Sequence, residues 1–222
     1  MVLPTVTKPH KIPIIIKVLA TCFLFVFVPV YWINLGPENF LWGSDLALFI
    51  TTLALWLESR FLSSMMAVGV LLTEVLWNID FFTRLFSGNH LFNLSATSYM
   101  FNVEVPSIVR GISFLFHIYL PIILIWMLFR LGYHHKAWLA QTAFAWIILP
   151  LTYLLTDPVD NINWVFGFGS EVQQWAPGPV FVVLLMILFP IVIYLPSHLF
   201  LNRLFGKNYK ERLIQSRGSG LE

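Results

Sequence analysis

The stretch from Phe61 to Arg84, FLSSMMAVGVLLTEVLWNIDFFTR, begins as an apolar run and then acquires Glu74, Asn78, Asp80 and Arg84. An ionisable side chain inside a membrane span is costly and faces the bundle interior, a partner or a water-filled cavity. On a helix of about 1.5 Å and 100° per residue, Glu74 and Asn78 share one face and lie roughly 9 Å and less from Asp80, which shares another face with Arg84 at ion-pair spacing. A second stretch answers this one. Arg110, Ser113, His117 and Pro121 return to nearly the same angular stripe, and His117 lies roughly 15 Å from its outer helix end, against roughly 10 Å for Glu74. The two meet at similar depth if their helices are neighbours. A carboxylate beside an imidazole serves as a general acid/base pair or a proton relay, and equally as a structural hydrogen bond between helices. Glu74, His117 and Asp80 are therefore the candidate catalytic residues.

The remaining polar candidates surround this pair. Asn78 and Ser113 line the same faces, and Arg84 and Arg110 have the planar fork that binds a phosphate or carboxylate. The string DPVDNINWVFGFGSE, Asp157 to Glu171, adds Asp157, Asp160, Asn161 and Asn163 as rim groups for polar parts of a substrate or a cation, with Trp164 as a stacking surface. Its spacing does not match the EF-hand calcium loop, and no metal site is expected. Within it, VFGFGS resembles the potassium-channel filter, whose backbone carbonyls replace the ion's hydration shell. Trp164 stands where that filter has threonine, however, and Pro158 interrupts the segment ahead of it. HExxH, GxSxG, Walker-type and paired CxxC elements are absent. The single cysteine, Cys22, excludes an intramolecular disulfide and CxxC redox chemistry. The cofactor, if any, is unknown from the residues.

These groups must be held by a membrane scaffold. With 58% hydrophobic and only 11% charged residues, the chain lies far from the soluble average of about 25% charged. Six apolar runs of membrane-spanning character emerge, at about 12–32, 40–57, 61–82, 107–131, 137–155 and 180–200. The expected fold class is an all-α membrane protein, a six-transmembrane-helix bundle forming a single domain over 1–216. The first run is expected to be a retained anchor, since no small-x-small cleavage site follows it, and 217–222 (RGSGLE) is read as a vector-derived tail.

Charge sets the expected orientation. If the N-terminus is cytoplasmic, eleven of the thirteen Lys and Arg fall inside and only Arg84 and Arg110 outside, so both termini are expected in the cytoplasm. The carboxylates Glu38, Asp45, Glu74, Asp80, Glu104, Asp157, Asp160 and Glu171 gather toward the outer side, which the insertion rule does not explain. The long connections, 87–106 and 156–179, are also the outer ones, and loops of that kind carry function. The basic tail from Arg203 to Arg212 reads as an anchor at anionic lipid, with no nucleic-acid partner. Asn93-Leu94-Ser95 forms a glycosylation sequon.

With WNIDFFTRL, GISFLFHIYLP, NINWVFGFG and LPSHLFLNRLF in view, the chain resembles a group of uncharacterised bacterial multi-pass membrane proteins. The resemblance implies a bacterial cytoplasmic (inner) membrane, with the long loops on the periplasmic side, and no particular activity. The expected function is a membrane-embedded enzyme modifying a lipid headgroup or lipid-linked substrate at the outer leaflet. Its partners would be membrane lipid and an anionic small molecule or headgroup held by Arg84 and Arg110. A small-solute, proton or cation transporter or channel is the alternative, and a structural or partner-binding membrane protein the third.

Overall fold

The computed structural model describes residues 12–89, 96–169 and 171–218, with side chains through 206. Lys8, His10 and Lys11, the sequon Asn93-Leu94-Ser95, Ser170 of the VFGFGS string and the side chains of the basic tail beyond 206 lie outside the described residues. Among the described residues there are helices and turns and no strands.

Long apolar runs make long helices because in lipid each backbone N–H and C=O must be satisfied within its own segment. Helix α1 is Ile14–Leu35, α2 Gly43–Leu57, α3 Arg60–Ser87, α4 Ser107–Leu131 and α5 Ala137–Leu155. The last run forms α6 (Gly178–Phe189), a π turn (Pro190–Tyr194) and α7 (Leu195–Gly218) in continuation. Among the described residues, five helices are long and apolar enough to cross a membrane, counting Gly178–Gly206 as one. The second expected span is shorter than the sequence suggested. Gly36, at φ 82°, ends α1, a 3-10 turn occupies Pro37–Leu41, and α2 proper has 15 residues. That is about 22 Å of helix against a hydrocarbon core of about 30 Å. The third is longer than expected, with 28 residues. Ser59 caps its start by accepting from the Leu62 N–H at 3.2 Å, and Gly88, at φ 76°, ends it.

Helix α3 is the hub, packing against α4, α2, α5 and α7. Its inner half is buried almost continuously from Ser63 to Leu71, because small residues there admit close neighbours. At Gly69 a Cβ would lie 2.7 Å from the Gln141 amide of α5, so glycine is what lets α5 approach. Helices α1 and α2 are joined by the Lys17 Nζ–Glu58 Oε1 ion pair at 2.7 Å.

The 156–177 connection folds on two asparagines in the left-handed region, Asn161 (φ 40°) and Asn163 (φ 55°), a conformation asparagine tolerates better than most residues. The Asn161 amide donates to the carbonyls of Gly167 (2.8 Å) and Gly169 (2.9 Å), and its Oδ1 accepts from the Phe166 N–H at 3.0 Å. Asn163 reaches across the molecule, donating to the Leu41 carbonyl at 2.7 Å while its Oδ1 accepts from the Gly43 N–H at 2.9 Å. The loop is thereby tied to the start of α2. Replacing Asn163 with Ala removes these bonds and a third, to the Thr152 hydroxyl at 3.2 Å, and leaves a part-buried donor and acceptor unpaired, so folding stability should fall by about 2 kcal/mol. Thermal unfolding in detergent checks this; an unchanged midpoint would mean the tie does not hold the loop.

Candidate functional site

The mid-helix carboxylate has its partner. Glu74 is 2% exposed and His117 7% exposed, and Glu74 Oε2 lies 2.7 Å from His117 Nδ1. Two neighbours fix the pair. The Trp77 indole stacks on the imidazole with centroids 4.0 Å apart and planes 14° from parallel. The Asn78 amide donates to the main-chain carbonyls of both Glu74 and His117, each at 2.8 Å, bolting α3 to α4 at this level. With Nδ1 taken by Glu74, Nε2 is the ring nitrogen left for another partner, and His117 lines a cavity. This is how a carboxylate orients a histidine for proton transfer at its second nitrogen.

That cavity has a volume of about 1010 Å³, at the upper end of the usual range for ligand pockets. Its wall extends beyond α3, α4 and α5. Tyr31 of α1, Asn39 of the 3-10 turn, Asp45 of α2 and the α6/π segment also form its wall, and both connections reach it through Tyr99 and Asn161. Asp160 is exposed and lines it, which puts an opening at the loop end. The opposite end closes at Gln141 and Tyr194. Gln141 is 6% exposed and its Oε1 has no hydrogen-bond partner.

Of the residues expected at the site, Glu74, His117, Asp80, Ser113, Asp160, Asn161, Asn163 and Trp164 line this one cavity. Asp80 is buried and accepts from the Thr97 hydroxyl at 2.6 Å. Ser113 bonds the Tyr99 hydroxyl, and burial pushes that phenol, which lies outside the spans, well above its ordinary pKa. Trp164 is held at φ 58° at the rim, a conformation that is a genuine outlier for a bulky side chain. The amide of Asn161 is engaged in the loop's own bonds and that of Asn163 in bonds to the start of α2, so their place on the wall is structural.

Four expected residues are elsewhere. Arg84 and Arg110 do not line the cavity because the 98–101 turn collects them: Arg84 donates to Ser98 Oγ at 3.3 Å and lies over the Phe101 ring, and Arg110 donates to the Met100 carbonyl at 3.4 Å. Asn78 is the interhelical bolt described above, and Asp157 is exposed away from the wall. Nor does the VFGFG stretch offer a filter. The Phe166 carbonyl accepts from the Gln173 N–H at 2.9 Å, and those of Gly167 and Gly169 accept from Asn161.

The sequence reading did not single out Asp45, which is 2% exposed, accepts from Asn39 Nδ2 at 2.8 Å and is near enough to Glu74 for the two charges to interact. Its place in the first turn of α2 is one that any helix favours for an acid, so sequence offered no reason to suspect it. Tyr31, Trp77 and Tyr99 were hidden among other aromatic and apolar residues. Asp45, Glu74, Asp80 and Asp160 give the wall four carboxylates, with no Lys or Arg on it among the described residues. Among these residues, no group of three or more His, Cys, Asp and Glu could hold a metal ion.

Searches against protein-family models, curated proteins and solved structures found no match to this chain. The class that fold and site define is a helical protein with five helices able to cross a membrane and a buried Glu–His pair on an internal cavity.

The pair's structural share can be separated from its chemical one. Glu74→Gln keeps a hydrogen-bonding group against Nδ1 and should leave the unfolding midpoint nearly unchanged. Glu74→Leu strands the imidazole and should cost about 1–3 kcal/mol. Thermal unfolding of both variants in detergent reads the difference; equal midpoints would show that the bond adds nothing to the fold.

Proposed function

We propose that this protein is a membrane-embedded enzyme that modifies a lipid or lipid-linked substrate, with His117 as the proton-transferring group and Glu74 as its orienting carboxylate. The observation that carries this reading is the 2.7 Å Glu74–His117 contact on the wall of a cavity of about 1010 Å³. His117 Nε2 takes the proton of an attacking hydroxyl, from water or from the lipid, and returns it to the oxygen that leaves. Glu74 holds the Nδ1–H and stabilises the imidazolium between the two transfers. The excess of carboxylates over cations on the wall favours a headgroup bearing hydroxyl or amine groups, in place of the anionic one that Arg84 and Arg110 suggested.

In this reading the chain is a six-span protein of a bacterial inner membrane. Both termini are cytoplasmic, and the long connections with the cavity mouth are on the periplasmic side. The eleven-to-two division of Lys and Arg supports that orientation. The short α2 would span by drawing the 3-10 turn ahead of it into the interface.

A proton or solute pathway is the second reading, favoured by the extension of the cavity past Glu74 to Gln141 and Tyr194. Against it, His198, the next polar group inward, is off the wall and paired with the Tyr133 hydroxyl at 2.7 Å. The cavity thus ends where a pathway would have to continue.

Purified protein in vesicles of total bacterial lipid separates the readings when lipid composition is followed by mass spectrometry and proton flux by an entrapped dye. Wild type should convert one lipid class, and Glu74→Gln and His117→Ala should each slow conversion by about 100-fold or more. Unchanged lipids together with a proton flux that both variants abolish would replace the enzyme by the pathway.

A further inference from the structure

We propose that the substrate's hydrocarbon chain enters sideways from the bilayer, through the gap between α3 and α6, and lies in an apolar inner lobe of the cavity below Glu74. This rests on the lipid-substrate reading above and adds a route and a chain-binding site to it.

The route follows from the faces of α3. At 100° per residue, Val75, Ile79 and Phe82 form one exposed stripe and Glu74, Trp77 and Val70 form the inward one. Leu72 and Leu76 fall at the edge between these stripes. Both line the cavity and both are 37% exposed, so the same side chains border the bilayer and the site.

Packing leaves that edge open. Helix α6 lies against α5 and the π turn, and α3 is met from this side by the π turn and α7. Leu188 of α6 and Val192 of the π turn also line the cavity, and Val192 is 58% exposed. A hydrocarbon surface outside and apolar edges on both sides select a hydrocarbon chain as the occupant, since any polar solute would lose its hydration on the way in.

The lobe itself suits a chain. Between Glu74 and Gln141 its wall is formed largely by Val70, Phe144, Ala145, Leu188 and Val192. From Glu74 to Gly69, on which the Gln141 amide rests, is about 7.5 Å along α3, and Met66 carries the wall about 4.5 Å further. A chain held there would place its polar end level with Glu74, His117 and Asp45.

The test is photolabelling of the full-length protein in phosphatidylethanolamine and phosphatidylglycerol vesicles, with a long-chain fatty alcohol carrying a terminal diazirine as the probe. Labelled peptides are mapped by mass spectrometry. Wild type should label at Phe144 or Ala145 as well as on the lipid-facing stripe. Leu72→Trp and Leu76→Trp, which plug the gap, should each cut labelling inside the lobe at least tenfold. Val75→Trp, on the lipid face one position away, should leave it unchanged, and the milder Leu76→Phe covers the case in which a Trp variant does not fold. Glu74→Gln should label as wild type does, which separates chain binding from chemistry. Lobe labelling that survives both plugs, or no lobe labelling in wild type, overturns the proposal. If lipid conversion depends on His117 while the lobe stays unlabelled, the enzyme reading stands and this one fails. If the lobe labels and no lipid is converted, the reverse holds.

Discussion

A carboxylate at the middle of a long apolar helix is the constraint on which the rest of this structure depends. Water solvates an ionised glutamate far better than any protein interior does, and removing one partner of a buried pair leaves an uncompensated charge. Glu74, at 2% exposure, therefore requires a polar neighbour at its own depth. His117 is that neighbour, and its position obliges α4 to run beside α3 in one register. Asn78 fixes the register through both main chains, and Trp77 fixes the plane of the ring. A slip of α4 by one residue would turn His117 away by about 100° and leave both polar groups in an apolar interior.

The cavity has two characters because its walls come from different parts of the helices. Near the loops, the start of α2 and the last turns of α3 contribute Asp45 and Asp80, and further from the loops α3, α5, α6 and the π turn present mostly apolar side chains. A site that is acidic at one end and apolar at the other is complementary to an amphiphile. The loops rim the acidic end, where Asn161 and Asn163 donate their amides to backbone groups and Arg84 and Arg110 donate to the 98–101 turn. Their work is to keep the rim in place around Asp160 and Trp164.

Helix periodicity and depth carried the sequence reading as far as they could. The boundaries of α4 and α5, Ser107–Leu131 and Ala137–Leu155, follow from apolar length between turn residues. The shared depth of Glu74 and His117 follows from counting residues from helix ends. What failed was inference from residue type alone. Arginine forks suggested an anion site, and asparagines near a tryptophan suggested substrate contacts. Backbone carbonyls and hydroxyls compete for the same donors, and where those groups lie is a matter of loop path, which no local pattern specifies.

By itself the sequence determined that this chain folds as helices fit for a membrane and that one of them carries an acid too deep to be left alone, because hydrophobic length and helical rise are local properties. It is the packing of the helices that makes α3 and α4 neighbours, that sets Asp45 and Glu74 on one wall, and that leaves Leu72 and Leu76 of α3 part-exposed beside the cavity. Those facts depend on which helices pack together, and packing is settled by the fit of whole surfaces, down to the absence of a Cβ at Gly69.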